Sequence, residues 1–339
     1  MAVEEDVHKA RGKVRHGLAR AQGRQRRSAA LLIAPTMVLL AIVIGYPIVR
    51  AMWMAFTADQ RLDPATGMFV EGGWAGFSNF THWLLQECPS MTGGVVPCPT
   101  GNLGSGFWNA VGVTFLFTGV TVVLETLLGL WFAVIMNRGF RGRGLVRAAI
   151  LIPWAIPTAV TSKLWKFLFE ADGAINRIFG TDILWTSGEW SSRFAIILAD
   201  TWKTTPFMAL LILAGLQLIP EDVYEAAKVD GAGTWQRFRS ITLPLIRPAL
   251  LVAILFRVMD ALRMYDLPWI FTGGGGGRGD ATTTLSILVV NQIRQGFNSA
   301  AALSTITFII IFLVALLFIR VLGANVIGNV DEGAKGGAK

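Results

Sequence analysis

Apolar blocks alternate with polar connections along the chain, and the blocks set its architecture. Six of them, Ala30–Ala51, Phe107–Met136, Leu145–Phe169, Phe194–Leu218, Ala249–Phe271 and Ala300–Leu322, stand out. Each runs for about 20 residues or more, the length of helix that crosses a hydrocarbon core of about 30 Å. Within lipid, every backbone N–H and C=O must be satisfied inside its own segment, so each block is predicted to be a helix. Nothing alternates with period two, which argues against a transmembrane barrel. The expected fold class is all-α, a polytopic membrane protein with six transmembrane helices. Its parts are a tail at 1–29, a membrane domain at 30–322 and a second tail at 323–339. Two connections are substantial, 57–106 and 220–244.

Composition and charge sharpen this picture. Apolar residues make up 53% of the chain and charged residues 15%, against about 25% charged in a soluble domain. Lys9, Arg11, Lys13, Arg15, Arg20, Arg24, Arg26 and Arg27 precede the first block. Arg138, Arg141, Arg143 and Arg147 follow the second, and Lys228, Arg237, Arg239 and Arg247 follow the fourth. The connection from Thr57 to Gly106 carries Arg61 alone. Basic connections stay inside, so both termini and the 220–244 connection are predicted to be cytoplasmic. The N-terminal basic run then reads as a topology determinant with some attraction to anionic lipid, not as a nucleic-acid arm. The first block is also too long for a signal peptide and lacks a small-residue cleavage site.

Chemistry of the enzymatic kind is missing from the sequence. The three histidines, His8, His16 and His82, all lie outside the blocks, and neither H-E-x-x-H nor G-x-S-x-G occurs. The glycine run Gly273–Gly277 is followed by Arg278-Gly279-Asp280 instead of the Lys-Ser/Thr of a phosphate loop. No catalytic residue, metal or cofactor is expected in this chain. Cys88 and Cys98, its two cysteines, share the 57–106 connection. An exterior location permits a disulfide there, with two free thiols as the alternative. His82 is the only histidine nearby, too few ligands for zinc.

Ionisable groups inside spans are costly, and they mark partners or pathways. The second block holds Glu125. The fourth holds Asp200, Lys203, Thr204 and Thr205 just before Pro206, whose ring should clash with the Trp202 carbonyl and kink or open the helix. In the fifth, Arg257, Asp260 and Arg263 recur at i, i+3 and i+6 along one predicted face, with Tyr265 and Asp266 following. These charges suit either interhelical pairs, such as Glu125 with Arg257, or a polar translocation path. Trp202, Phe207 and Trp269 suit stacking on a sugar's apolar face. An ion-coupled secondary transporter, with these carboxylates as proton sites, is an alternative of a different class.

The connection "EAAKVDGAGTWQRFRSITLP" is unusually patterned. Pro220 suits a helix start, with Glu221 and Asp222 favourable in the first turn. Ala226 and Ala227 give a small-residue face that admits close approach, and Gly231 tolerates a left-handed stop. A second amphipathic piece then runs towards Pro244 and Pro248. Glu225, Ala226, Ala227, Gly231, Ile241, Leu243 and Pro244 match the pattern E-A-A-x3-G-x9-I-x-L-P. This resembles the inner-membrane permease subunits of binding-protein-dependent ABC importers, over about Phe107 to Leu322. The downstream "DLPWIFTGGGGG" resembles the sugar-permease branch, with glycine where that branch usually has proline.

The resemblance implies a type I importer permease fold in a bacterial inner membrane. It implies a second permease subunit, an extracytoplasmic sugar-binding protein and two ATPase subunits that bind ATP and Mg²⁺. A cytoplasmic coupling helix would present Glu225, Ala226, Ala227, Asp230 and Gly231 to an ATPase. Sugar contacts carried over from the family fall on Asp200, Lys203, Thr204, Phe207, Asp260, Arg263 and Tyr265. The implied substrate is a disaccharide such as trehalose or maltose; Lys203 and Arg263 keep a glycerol-phosphate-type polyol as an alternative.

Overall fold

The computed structural model describes residues 29–63, 66–90, 94–274 and 280–336. The basic run Lys9–Arg27 and the Gly275–Gly279 segment lie outside the described residues. The chain divides after Met54 into two compact units. The first contains α1 (Ala29–Met54), a long apolar helix with one π-turn at Ala41–Gly45.

The second unit opens with a small folded connection. A hairpin of β1 (Arg61–Leu62) and β2 (Phe69–Val70) precedes the short helix α2 (Ser78–Leu84). A second hairpin then pairs β3 (Glu87–Pro89) with β4 (Val95–Pro97). A Cys88–Cys98 disulfide bridges this hairpin's flank. The connection is tied to the last helix, α12 (Phe297–Gly336). Asp59 caps that helix by accepting from Asn298 N at 2.6 Å and Ser299 N at 3.1 Å. The buried Trp83 indole donates to the Ser299 carbonyl at 3.1 Å.

Between them lie α3 (Phe107–Asn137), α4 (Arg143–Ala155), α5 (Thr158–Leu168), α6 (Ala174–Phe179) and α7 (Glu189–Leu216). Next come α8 (Glu221–Val229), α9 (Thr234–Ala261), α10 (Asp266–Thr272) and α11 (Leu285–Ile293). Among the described residues, α1, α3, α7, α9 and α12 are long and apolar enough to cross a membrane. α4 and α5 meet the same criterion only as a pair, bent by 92° at a short break, which makes them a broken span or a re-entrant loop.

Proline placement explains the departures from straight spans. The predicted third span, 145–169, is broken at Ile156, which is extended (φ −78°, ψ 131°). Pro157 forces this: it disfavours helical geometry in the residue before it and offers no N–H to the turn. The predicted fifth span, 249–271, is likewise two helices. A continuous helix would drive the Pro268 ring into the Met264 carbonyl. Instead the chain turns at Leu262–Tyr265, Pro268 sits in the first turn of α10, and Met264 O accepts from the Thr284 hydroxyl at 2.8 Å. Of the two outcomes expected at Pro206, opening does not occur, since α7 runs through it as one helix. Close packing holds α7 just beyond that proline. A side chain on Gly129 of α3 would meet Met208 Cβ at 2.8 Å, and one on Gly215 would meet Ala249 Cβ of α9 at 2.5 Å.

Two apolar clusters bracket the middle of the bundle. Val113, Phe117, Ala195, Ile196, Ala199, Leu267 and Phe271 pack towards one end, and Ala133, Met136, Met208, Ile212, Leu216 and Ile246 towards the other. Lipid is as apolar as these side chains, so close packing and polar contacts must supply much of what keeps the helices together.

Candidate functional site

Between the two clusters, one guanidinium gathers three carboxylates from three helices. Arg257 of α9 grips Glu125 of α3 bidentately, Nε to Oε2 and Nη2 to Oε1. Its Nη2 also donates to Asp200 Oδ2 of α7, and its Nη1 donates to Asp260 Oδ2 at 2.9 Å, one turn along α9. A guanidinium has five N–H donors in a planar fork, and four are used here. Arg257 and Glu125 are fully buried, whereas the Asp260 side chain is 64% exposed. Three carboxyl groups thus share one guanidinium. The arrangement ties α3, α7 and α9 together and leaves one carboxylate open at its edge.

Helix period places Asp200, Lys203, Thr204 and Phe207 along one face of α7. Thr204 donates its hydroxyl to the Asp200 carbonyl and reaches Asp200 Oδ1 at 3.3 Å. Lys203 donates to the Ile156 carbonyl at 3.0 Å, at the elbow where α4 ends. That carbonyl belongs to the negative end of a helix dipole, a favourable place for an ammonium. Phe207 stacks on Trp154 of α4 with centroids 6.0 Å apart. The α7 residues predicted to contact sugar thus line the side facing the elbow and the tetrad.

Two predicted contacts do not join them. Arg263 lies past the end of α9, exposed, with its Nε on the Met259 carbonyl at 3.2 Å. The expected single face of Arg257, Asp260 and Arg263 is lost because the helix stops at Ala261. Tyr265 leads into α10 and stacks on Trp269 at 5.5 Å.

The 220–244 connection folds as α8, a left-handed Gly231 (φ +79°) and the start of α9. The expected separate second amphipathic piece is the first part of α9 itself, joined through a π-turn at Phe238–Thr242. Tyr224 meets the Thr242 hydroxyl at 3.0 Å, fixing α8 against α9. The two alanines part company: Ala227 is buried in the chain's own fold and Ala226 is exposed. Glu221, Tyr224, Glu225 and Lys228 line a groove on the bundle side. The helical period turns Asp222, Ala226, Val229 and Asp230 the other way, and Val229 is 88% exposed.

A sequence profile of the family described as "Binding-protein-dependent transport system inner membrane component" matches residues 125–328. The chain belongs to this family. The permease is 37% identical over 304 residues to the trehalose/maltose transport system permease protein MalF of Thermococcus litoralis, covering 88% of this chain and 94% of that one. It is 35% identical over 312 residues to the trehalose transport system permease protein SugA of Mycobacterium tuberculosis, covering 91% and 93% respectively. Among solved structures, its fold matches a chain of a bacterial alginate ABC transporter in complex with an alginate pentasaccharide-bound periplasmic protein. The TM-score is 0.68 at 19% identity, over 88% of the permease and 94% of that chain. It is a multi-pass inner-membrane permease component with a type I importer fold.

The sequence leaves Arg257 and Glu125 open between an interhelical pair and the lining of a path, and neither is among the predicted sugar contacts; the structure pairs them at the centre of the tetrad. The signal was present: Glu125 is the only ionisable residue in the second apolar block. Val229 was missed as well, because a valine in an amphipathic helix gives no hint of its direction until the helix is docked.

Proposed function

We propose that the permease forms one half of the path by which a neutral disaccharide of the trehalose or maltose type enters the cell. ATP hydrolysis in partner ATPases would drive it through α8, and an extracytoplasmic binding protein would deliver the sugar. In this reading both termini and α8 face the cytoplasm, as the distribution of Arg and Lys favours. The names of the two relatives above support the substrate class. The observation that carries it is the pairing in the tetrad: Arg257 is committed to three carboxyl groups, and Lys203 is turned to the Ile156 carbonyl. Such a site offers acceptors to sugar hydroxyls, and charge-assisted bonds of that kind are the strong ones. A phosphorylated polyol would instead find both cations of this cluster, Arg257 and Lys203, already engaged. Asp260, Thr204 and Phe207 are the residues expected to touch sugar, with Trp154 extending the aromatic surface.

The test is reconstitution in vesicles with the second permease, the ATPases and the binding protein. Trehalose or maltose should raise ATPase activity, glycerol phosphate should not, and uptake should survive an uncoupler while ATP lasts. Uptake that collapses with the uncoupler in the presence of ATP would identify an ion-coupled carrier instead. Stimulation by the phosphorylated polyol alone would overturn the sugar assignment.

A further inference from the structure

A groove of about 860 Å³ opens beside α8, with apolar and polar lining residues. One wall is a stripe of α3: Leu127, Leu130, Trp131 and Val134, then Asn137 and Arg138. That spacing is a single helical face, running from apolar to polar as α3 approaches its end. Trp131 on this stripe is 59% exposed. Trp235 and Phe238 of α9, stacked at 5.6 Å, form the aromatic part of a second wall, with Arg237 between them in sequence. The α8 face with Glu221, Glu225 and Lys228 closes the polar end.

The cations at that end are under-used. Among the described residues, the salt bridges found take none of Arg138, Lys228 and Arg237. The Arg237 guanidinium makes one long contact, Nη2 to Thr234 Oγ1 at 3.4 Å, while its Nε is buried without a partner. A buried, unpaired guanidinium N–H is costly and suits a strong acceptor. Three cations outnumber the two glutamates, so the mouth favours an anion. Its apolar wall is continuous with other exposed apolar residues of α3, Val123 and Leu124, and favours acyl chains. Aromatic side chains at the junction suit the membrane interface.

We propose that this groove is a binding site for an anionic phospholipid. The phosphodiester sits against Arg237 and Arg138, the acyl chains lie along Leu127, Leu130 and Val134, and Trp131 and Trp235 flank the glycerol region. A lipid there is wedged between the membrane bundle and α8. The site depends only on the protein's being in a bilayer, and not on which solute is carried.

The test uses the full-length permease in phosphatidylcholine vesicles containing a minor fraction of brominated phosphatidylglycerol or brominated phosphatidylcholine. The fluorescence difference between the native protein and a Trp131→Phe/Trp235→Phe variant isolates quenching at the groove. Brominated phosphatidylglycerol should quench that component more strongly than brominated phosphatidylcholine. Arg138→Gln and Arg237→Gln should each reduce the preference about fivefold, as expected for about 1 kcal/mol per basic residue near a charged surface. Arg247→Gln, outside the groove, should leave it unchanged. Mass spectrometry of the detergent-purified protein should show retained phosphatidylglycerol that the Arg138→Gln/Arg237→Gln double variant lacks, with helical circular dichroism confirming that the variant is folded. Equal quenching by both lipids, or a preference that survives the double substitution, overturns the proposal. So does quenching that vanishes for both lipids in the assembled transporter, which would mean that a protein partner fills the groove.

Discussion

Arg257 and Asp260 are bonded neighbours with opposite exposures, and this separates what each should do when changed. Arg257→Leu strands two carboxyl groups, those of Glu125 and Asp200, inside the bundle. Breaking a buried ion pair by removing one partner costs about 3–5 kcal/mol, so the thermal midpoint in detergent should fall sharply. Asp260→Asn leaves Arg257 bound to Glu125 and Asp200. An exposed pair contributes about 0–1 kcal/mol, so the midpoint should barely move. Sugar uptake should nevertheless weaken, since a hydrogen bond to a charged group is worth about 1.5–3 kcal/mol, roughly ten- to hundredfold in KM. An equal loss of midpoint in both variants would show that Asp260 is structural glue. The same contrast explains what was legible at this scale. Charges in apolar blocks announce themselves, but a spacing of i, i+3 and i+6 assigns Arg263 to the cluster only if the helix continues. It stops two residues short of Arg263.

At the scale of elements, the apolar blocks located the crossings well because length and composition are set by the bilayer itself. Their interruptions were harder to read. Of the prolines in the predicted third, fourth and fifth spans, Pro153 and Pro206 lie inside continuous helices, and only Pro157 and Pro268 accompany a break. Just beyond Pro206, α7 is closely seated, Gly129 on Met208 and Gly215 on Ala249. No local rule contains this seating. The helix and the glycine turn of α8 were readable from Pro220 and Gly231, but its facing was not, because that depends on Tyr224 reaching Thr242. The outward face yields a prediction. Ala226→Trp should prevent an ATPase subunit from co-purifying while the permease inserts and keeps its helical content. Tyr224→Phe, which removes only the bond to Thr242, should retain the ATPase. Co-purification undiminished by Ala226→Trp would place docking elsewhere.

For the molecule as a whole, the connection between α1 and α3 is a folded cap. Asn79 holds the Ala55 and Thr57 carbonyls, Trp83 reaches Ser299, and Asp59 caps α12. The Cys88–Cys98 bridge closes a short loop within this cap, and loop-closure entropy gives such a bridge about 2–3 kcal/mol. Replacing both cysteines by serine should speed proteolysis within residues 84–106 and leave uptake near normal, because the ties to α12 do not pass through sulfur. Lost uptake would give the bridge a part in receiving the solute.

The elbow between α4 and α5 carries a consequence for where the chain can live. At a 92° bend, the last carbonyls of α4 and the first N–H groups of α5 lack helical partners. Lys203 answers one of these carbonyls, that of Ile156. Hydrocarbon will not tolerate the others, so that flank must meet water or another polypeptide. A lone copy surrounded by lipid would therefore have one side out of place. Stability of the solitary chain and completeness of the passage are the same requirement, seen from two directions.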